Sequence, residues 1–242
     1  MIPWIRLGAA PIPGGGELRL MRRGGEFAIR IGAQELMNSR RGGSEEALAT
    51  IACGKIAARA RPRLLIGGLG MGFTLRAALR ALDDSARVEV AELVPAVVQW
   101  AQGPMAEIFA GSLNDPRVII EVADIAEIIR AAASRYDAIF IDVDNGPEGL
   151  TREANDRLYD ARGLAAARAA LKIGGVLAVW SARPDRRFAQ RLGDAGFAAE
   201  EFSARARGGR GARHTIWIAA ARPAPGRRLM RRSLLDAGVD RH

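Results

Sequence analysis

From Pro62 to about residue 220, short apolar runs alternate with stretches of helical periodicity. The apolar runs predict strands at Arg63–Ile66, Val88–Ala91, Arg117–Val122, Ala138–Ile141 and Val176–Trp180. Between them, apolar residues spaced three and four apart predict helices over Phe73–Leu82, Pro95–Phe109, Ile125–Ala133, Asn155–Leu171 and Asp185–Ala195. Two more strands, near Ala198–Phe202 and His214–Ala220, close the series. Strand and helix in strict alternation predict an α/β fold with a mostly parallel sheet of seven strands covered on both faces. Right-handed crossovers make such a sheet doubly wound and Rossmann-like, with ligand at the carboxyl ends of its strands.

The first sixty residues follow a different pattern. Residues 1–16, ending in Pro11-Ile12-Pro13-Gly14-Gly15-Gly16, are expected to be an irregular lead-in. Glu17–Met21 and Glu26–Ile31 flank Arg22-Arg23-Gly24-Gly25, a hairpin signal, and a third short strand is expected at Glu35–Asn38. Ser44-Glu45-Glu46 opens a helix running to about Ala60, with Ser44 as its expected N-cap. Three segments result: a small β unit plus helix over 1–60, a Rossmann-like α/β domain over 61–222, and a basic tail over 223–242.

Composition narrows the function classes. The chain has 242 residues, 49% of them hydrophobic, and one cysteine, Cys53, which excludes a disordered chain and a disulfide scaffold. With that cysteine and only His214 and His242, a Cys- or His-based metal centre is not expected. No apolar stretch reaches the roughly 20 residues of a membrane helix, and the start lacks the pattern of a secretion signal, so a cytoplasmic protein is expected. Lys55 and Lys172 are the only lysines; the chain is otherwise Arg- and Ala-rich. Residues 203–232 hold nine arginines and no acid, matching the whole net charge of +9. Few aromatics and no nucleic-acid motif accompany them, so a solvated tail is expected rather than a nucleic-acid surface.

The candidate chemistry clusters at predicted strand ends. Leu64-Leu65-Ile66 runs into Gly67-Gly68-Leu69-Gly70-Met71-Gly72, followed by a helix. Gly68, Gly70 and Gly72 form G-x-G-x-G; Phe73 occupies the third position of the dinucleotide G-x-G-x-x-G. Such a loop suits a nucleoside with a sulfonium tail better than a pyrophosphate. Glu92 ends the second strand of this series, where an acid accepts both ribose hydroxyls; the alternative is a surface acid before the helix at Pro95. Asp124 follows Arg117–Val122, placed either to accept an adenine amino group or to cap the helix from Ile125. Leu93 and Ile125 flank these two acids. In Asp142-Val143-Asp144-Asn145-Gly146-Pro147 the preceding strand delivers Asp142 and Asp144 to the glycine-loop end of the sheet. Paired acids there hold an ammonium group and accept its proton; a turn explains Asp144 and Asn145 well and Asp142 poorly.

These elements, with Leu171-Lys172-Ile173-Gly174-Gly175-Val176-Leu177, resemble the class I S-adenosylmethionine-dependent methyltransferase fold and, more narrowly, spermidine synthases and their relatives. The resemblance covers roughly residues 17–220, and Arg157-Leu158-Tyr159 is similar to the Leu-Tyr element of those enzymes. It implies that Gly67, Gly68, Gly70, Gly72, Glu92, Leu93, Asp124 and Ile125 bind S-adenosylmethionine or its decarboxylated form. Asp142 would then be the acid that takes a proton from the attacking amine. Products would be methylthioadenosine or S-adenosylhomocysteine, with no metal needed and a homodimer as the common state.

Three departures stand out. Gly70 occupies the place of a loop Asp that holds the aminopropyl amine. Ser44-Glu45-Glu46 aligns with a Tyr-His-Glu segment, so that only Glu46 matches, and the second acid after Asp142 is out of register. Glu46, Asp144 and Asn145 remain the candidates for a small-molecule amine acceptor. The expected activity is aminopropyl transfer to an amine. The alternatives are a methyltransferase and a nucleoside-binding protein without catalysis.

Overall fold

A computed structural model describes residues 2–13, 15–143, 157–207 and 210–222. The expected acceptor residues Asp144 and Asn145 and the tail 223–242 lie outside them. Strands β1 (Ile5–Pro11), β2 (Glu17–Arg23), β3 (Glu26–Ile31) and β4 (Gln34–Asn38) form an antiparallel meander in chain order. The lead-in expected to be irregular is therefore largely a strand, paired from Ile5↔Arg22 to Pro11↔Glu17. Its glycine, alanines and proline hide the strand signal; an edge position tolerates them, because on the side away from β2 no neighbouring strand needs an N–H from Pro11.

Helix α1 (Gly43–Ile56) starts one residue before Ser44, with Gly42 at the N-cap. Ser44 is thus not the cap expected of it; its hydroxyl is engaged elsewhere. Helix α1 packs on the large sheet and on helix α2 (Phe73–Ala81).

The large sheet contains β5 (Arg63–Gly67), β6 (Arg87–Glu92), β7 (Val118–Val122), β8 (Tyr136–Ile141), β9 (Leu171–Ser181), β10 (Phe197–Arg207) and β11 (Arg210–Ala221). Their order is β10-β11-β9-β8-β5-β6-β7, with β11 antiparallel to both neighbours and the central strands parallel. The order reverses at β5 and β8, so the crevice at their carboxyl ends is the topological switch point. Side chains alternate across the sheet. Leu64, Ile66, Phe140 and Ile216 pack towards α1, α2, helix α3 (Pro95–Gln102) and the small sheet. Leu65, Ile139, Leu177 and Trp217 pack towards helices α5 (Ile125–Ala131), α6 (Ala161–Ala170) and α7 (Arg186–Asp194).

Two expected elements are shorter or divided. Pro95–Phe109 breaks at Gly103-Pro104 into α3 and the one-turn α4 (Ala106–Phe109), as a proline within a helix requires. In Asn155–Leu171, residues 157–159 are helical, the helix breaks at Asp160, whose carboxylate accepts the Gly163 N–H at 2.7 Å to start α6, and Leu171 already belongs to β9. Arg205, Arg207, Arg210 and Arg213 lie on the β10–β11 hairpin, so the first part of the basic segment is sheet and not a solvated tail. Among the described residues no helix is long and apolar enough to cross a membrane.

Candidate functional site

At the end of β5 the backbone must turn sharply beneath β8. Gly68 does so with φ +90°, and a Cβ there would lie 2.5 Å from the Asp142 carbonyl oxygen. Gly70 has φ +50°, and its Cβ direction points at the Met37 sulfur, 3.2 Å away. Gly67 sits against Ile125, while Gly72 caps α2.

Glu92, the last residue of β6, fastens this loop. Its Oε2 accepts the Leu69 N–H at 3.0 Å and its Oε1 accepts the Val94 N–H at 2.9 Å. Burial raises the Glu92 carboxyl above its ordinary value, although these backbone donors, with Gly70 and Leu93, oppose the rise. The surface-acid alternative fails: Glu92 is 7% exposed. Asp124 caps α5 by accepting the Ala126 N–H at 2.8 Å, and it also borders the main cavity. Its two alternatives are compatible in space.

That cavity, of about 340 Å³, has Gly68, Gly70, Glu92, Leu93, Asp124, Ile125 and Asp142 on the large-sheet side. Ile12, Leu18, Ile29, Ile31, Leu36 and Met37 roof it from the small domain and the loop after β1. A second cavity, of about 80 Å³, adjoins it and shares Leu36, Met37, Gly68, Gly70 and Asp142. Glu45, Thr74 and Trp180 complete the walls of the smaller space.

Asp142 stands at the junction. Thr74, in the first turn of α2, donates its hydroxyl to Asp142 Oδ2 at 2.5 Å. Burial, and secondarily the Glu45 charge, push the Asp142 carboxyl up to about 7 against the pull of Thr74. Glu45 is raised by burial too, while Ser44 donates to its Oε2 at 2.6 Å and restrains the shift. A carboxyl titrating near neutrality, next to a second carboxyl, is equipped to take a proton from an ammonium ion.

Glu46, the acid expected here, points elsewhere: it pairs with Arg80 at 3.7 Å and lines neither cavity. Consecutive helical residues differ by about 100° in direction, so only one of Glu45 and Glu46 faces the sheet. Reading the segment for helix phase singles out Glu45. Thr74 and Met37 carry no comparable signal in the sequence. Among the described residues lining the two cavities there are four acids, Glu45, Glu92, Asp124 and Asp142, and no Lys, Arg or His.

Comparison with known proteins agrees with this architecture. No family model matches the chain. It is 34% identical over 128 residues to a polyamine aminopropyltransferase of Mycobacterium tuberculosis, an alignment covering 52% of this chain and 23% of that protein. It is also 34% identical over 115 residues to putrescine N-methyltransferase 1 of Nicotiana tabacum, covering 47% and 28%. The alignments thus span about a quarter of the length of these curated relatives. The crystal structure of spermidine synthase from Thermotoga maritima superposes with a TM-score of 0.70 at 19% identity, over 89% of this chain and 72% of that one. The chain has the fold of spermidine synthase, small antiparallel domain included.

Proposed function

We propose that the chain transfers an aminopropyl group from decarboxylated S-adenosylmethionine to a small amine. The observation that carries this reading is the lining of the two joined cavities, with four carboxylates and no described cation. Donor and protonated acceptor are both cations, whereas the α-carboxylate of intact S-adenosylmethionine meets no charged partner there. The similarity to polyamine aminopropyltransferases supports the same choice.

In this reading Glu92 accepts from the ribose hydroxyls while pinning the glycine loop, and Asp124 faces the adenine. The roof from the small domain keeps water from the larger cavity. Asp142 takes the proton of the acceptor ammonium, and Glu45 holds the acceptor's positive charge in the smaller space. The donor supplies an alkyl carbon activated by a sulfonium leaving group, so the protein's part is alignment and proton removal. A cytoplasmic setting and a homodimer, both implied by the resemblance, belong to the same reading.

Calorimetry with decarboxylated S-adenosylmethionine, S-adenosylmethionine and methylthioadenosine, followed by turnover with short diamines, tests it. The expected result is tighter binding of the decarboxylated donor and release of methylthioadenosine. Preference for intact S-adenosylmethionine with methyl transfer overturns it in favour of a methyltransferase. Nucleoside binding with neither transfer overturns it in favour of a non-catalytic protein.

A further inference from the structure

The smaller cavity has a polar connection on its side away from the nucleoside site. Ser44 Oγ lies 2.6 Å from Glu45 Oε2 and 2.8 Å from His214 Nδ1. The His214 ring packs edge-on against Trp180, at 4.7 Å between centroids, and Trp180 is itself a cavity wall. His214 is half-buried, and among the described residues its Nε2 has no hydrogen-bond partner. A line of hydrogen-bonded groups able to take up and give away protons runs from the Glu45 carboxylate through Ser44 to a ring that reaches the surface. The fold has no packing need for it: Ser44 is fully buried and inside a helix, where a small apolar residue would serve.

Transfer to an ammonium acceptor requires such an outlet. The acceptor nitrogen loses one proton, its freed lone pair forms the new C–N bond, and the C–S bond breaks with its electron pair returning to sulfur. The sulfonium charge is extinguished, the secondary amine leaves protonated, and one proton per turnover remains on the protein. Asp142 and Glu45 line the smaller cavity, and the Ser44–His214 connection offers that proton a path to the outer surface that does not cross the acceptor site.

We infer that Ser44 and His214 relay this proton from the Asp142–Glu45 pair to solvent, an inference that rests on the amine-transfer reading above. Glu45, once protonated, donates to Ser44 Oγ as the serine hydroxyl donates to His214 Nδ1. The imidazolium then releases its Nε2 proton to water. The charged groups facing His214 are few. From α1 it meets Ser44, which bonds Glu45 on its other side, with Asp142 after β8 lining the same cavity as Glu45; from β9 and β10 it meets Trp180 and Ala204. Arg213 and Arg205 alternate to the other face, and Arg205 turns back to the Gly211 carbonyl at 3.2 Å. Burial lowers the His214 pKa, which keeps the ring neutral and ready to accept.

Two arms test the relay on the full chain. In turnover, His214→Ala and Ser44→Ala are each expected to lower kcat about 5- to 20-fold with an unchanged KM for the donor. Millimolar imidazole is expected to restore the His214→Ala rate and leave the wild type unaffected; a lost ring contact alone gives no such rescue. Full kcat in both variants, or a loss that imidazole does not repair, overturns the proposal. In the second arm, nitrogen NMR follows the His214 ring through a pH titration, with no turnover required. Glu45→Gln is expected to lower the His214 midpoint by at least about 0.3 pH units, and Ser44→Ala to abolish that sensitivity. A midpoint indifferent to Glu45 overturns the relay. Wild-type protein inert towards every donor and amine overturns the proposed function instead, and the NMR arm still decides the relay's connectivity.

Discussion

The Asp142 carbonyl oxygen occupies the place where a side chain on residue 68 would have to begin: a Cβ on Gly68 would lie 2.5 Å from it. The glycine loop and the strand carrying the proposed base are therefore in backbone contact, and the nucleoside and acceptor sites cannot move independently.

Gly68→Ala forces that contact apart and also places an alanine at φ +90°. The strain alone costs roughly 1–3 kcal/mol, so the melting temperature is expected to fall by about 5 °C and methylthioadenosine binding to be lost. Gly25→Ala is the control. A Cβ there meets nothing within 4 Å, and its melting temperature and nucleoside affinity should match the wild type.

Glu45 and Glu46 are neighbours in sequence with opposite surroundings. Glu45→Gln is expected to raise the amine KM about tenfold, the loss of a charge-assisted contact of ~1.4 kcal/mol. Glu46→Gln breaks a surface pair with Arg80 and should change neither the amine KM nor kcat. Steady-state kinetics on both variants decides which acid faces the acceptor.

That pair also shows how far the sequence could be read. The alternation of apolar runs and helices after Pro62 was enough for the doubly wound sheet, because each buried strand carries its own apolar signature. Glu92, Asp124 and Asp142 could be found for the same reason: they sit at strand ends, and strand ends are set by local pattern. Glu45, Thr74 and Met37 enter the site through packing between elements, which one-dimensional spacing does not encode. β1 was hidden because an edge strand is stabilised by its partner β2 more than by its own residues.

Gly70 adds no charge of its own to the passage between the two cavities, where Asp142 stands. Its left-handed φ of +50° is one that Asp adopts more readily than most residues, and the atom it would meet is the flexible Met37 sulfur at 3.2 Å. Gly70→Asp is expected to tighten binding of decarboxylated S-adenosylmethionine about 5- to 10-fold, in line with one added hydrogen bond to a charged group. Methylthioadenosine, which lacks the aminopropyl ammonium, should bind as before. Parallel calorimetric titrations make the comparison.

Stability should carry the imprint of the same site. Asp142 is raised to about 7 in the folded protein, above its ordinary carboxyl value of 3.8. The folded state therefore binds more protons than the unfolded state between those limits, and this contribution to stability is lost as pH rises from about 4 to 7. Asp142→Asn cannot ionise. Its melting temperature should exceed that of the wild type by on the order of 5 °C at pH 8, with the difference vanishing near pH 4. An unchanged or lower melting temperature at pH 8 would show that the ionised carboxylate is not strained by its burial.

In catalysis the sign reverses. A base must be ionised to accept a proton, so wild-type kcat/KM should climb as pH rises through about 7 and level off above it. Asp142→Asn keeps the side-chain shape and is expected to lower kcat by roughly 10²–10⁴ while flattening that limb of the profile. Thr74 gives an independent check, because its 2.5 Å hydrogen bond favours the ionised carboxylate. Thr74→Val should move the limb to higher pH and leave the plateau rate within a few-fold of wild type. Methylthioadenosine affinity should change little in either variant, since Glu92 and Asp124 are untouched. A pH limb that persists in Asp142→Asn would assign the proton to Glu45 and reduce Asp142 to a wall of the cavity.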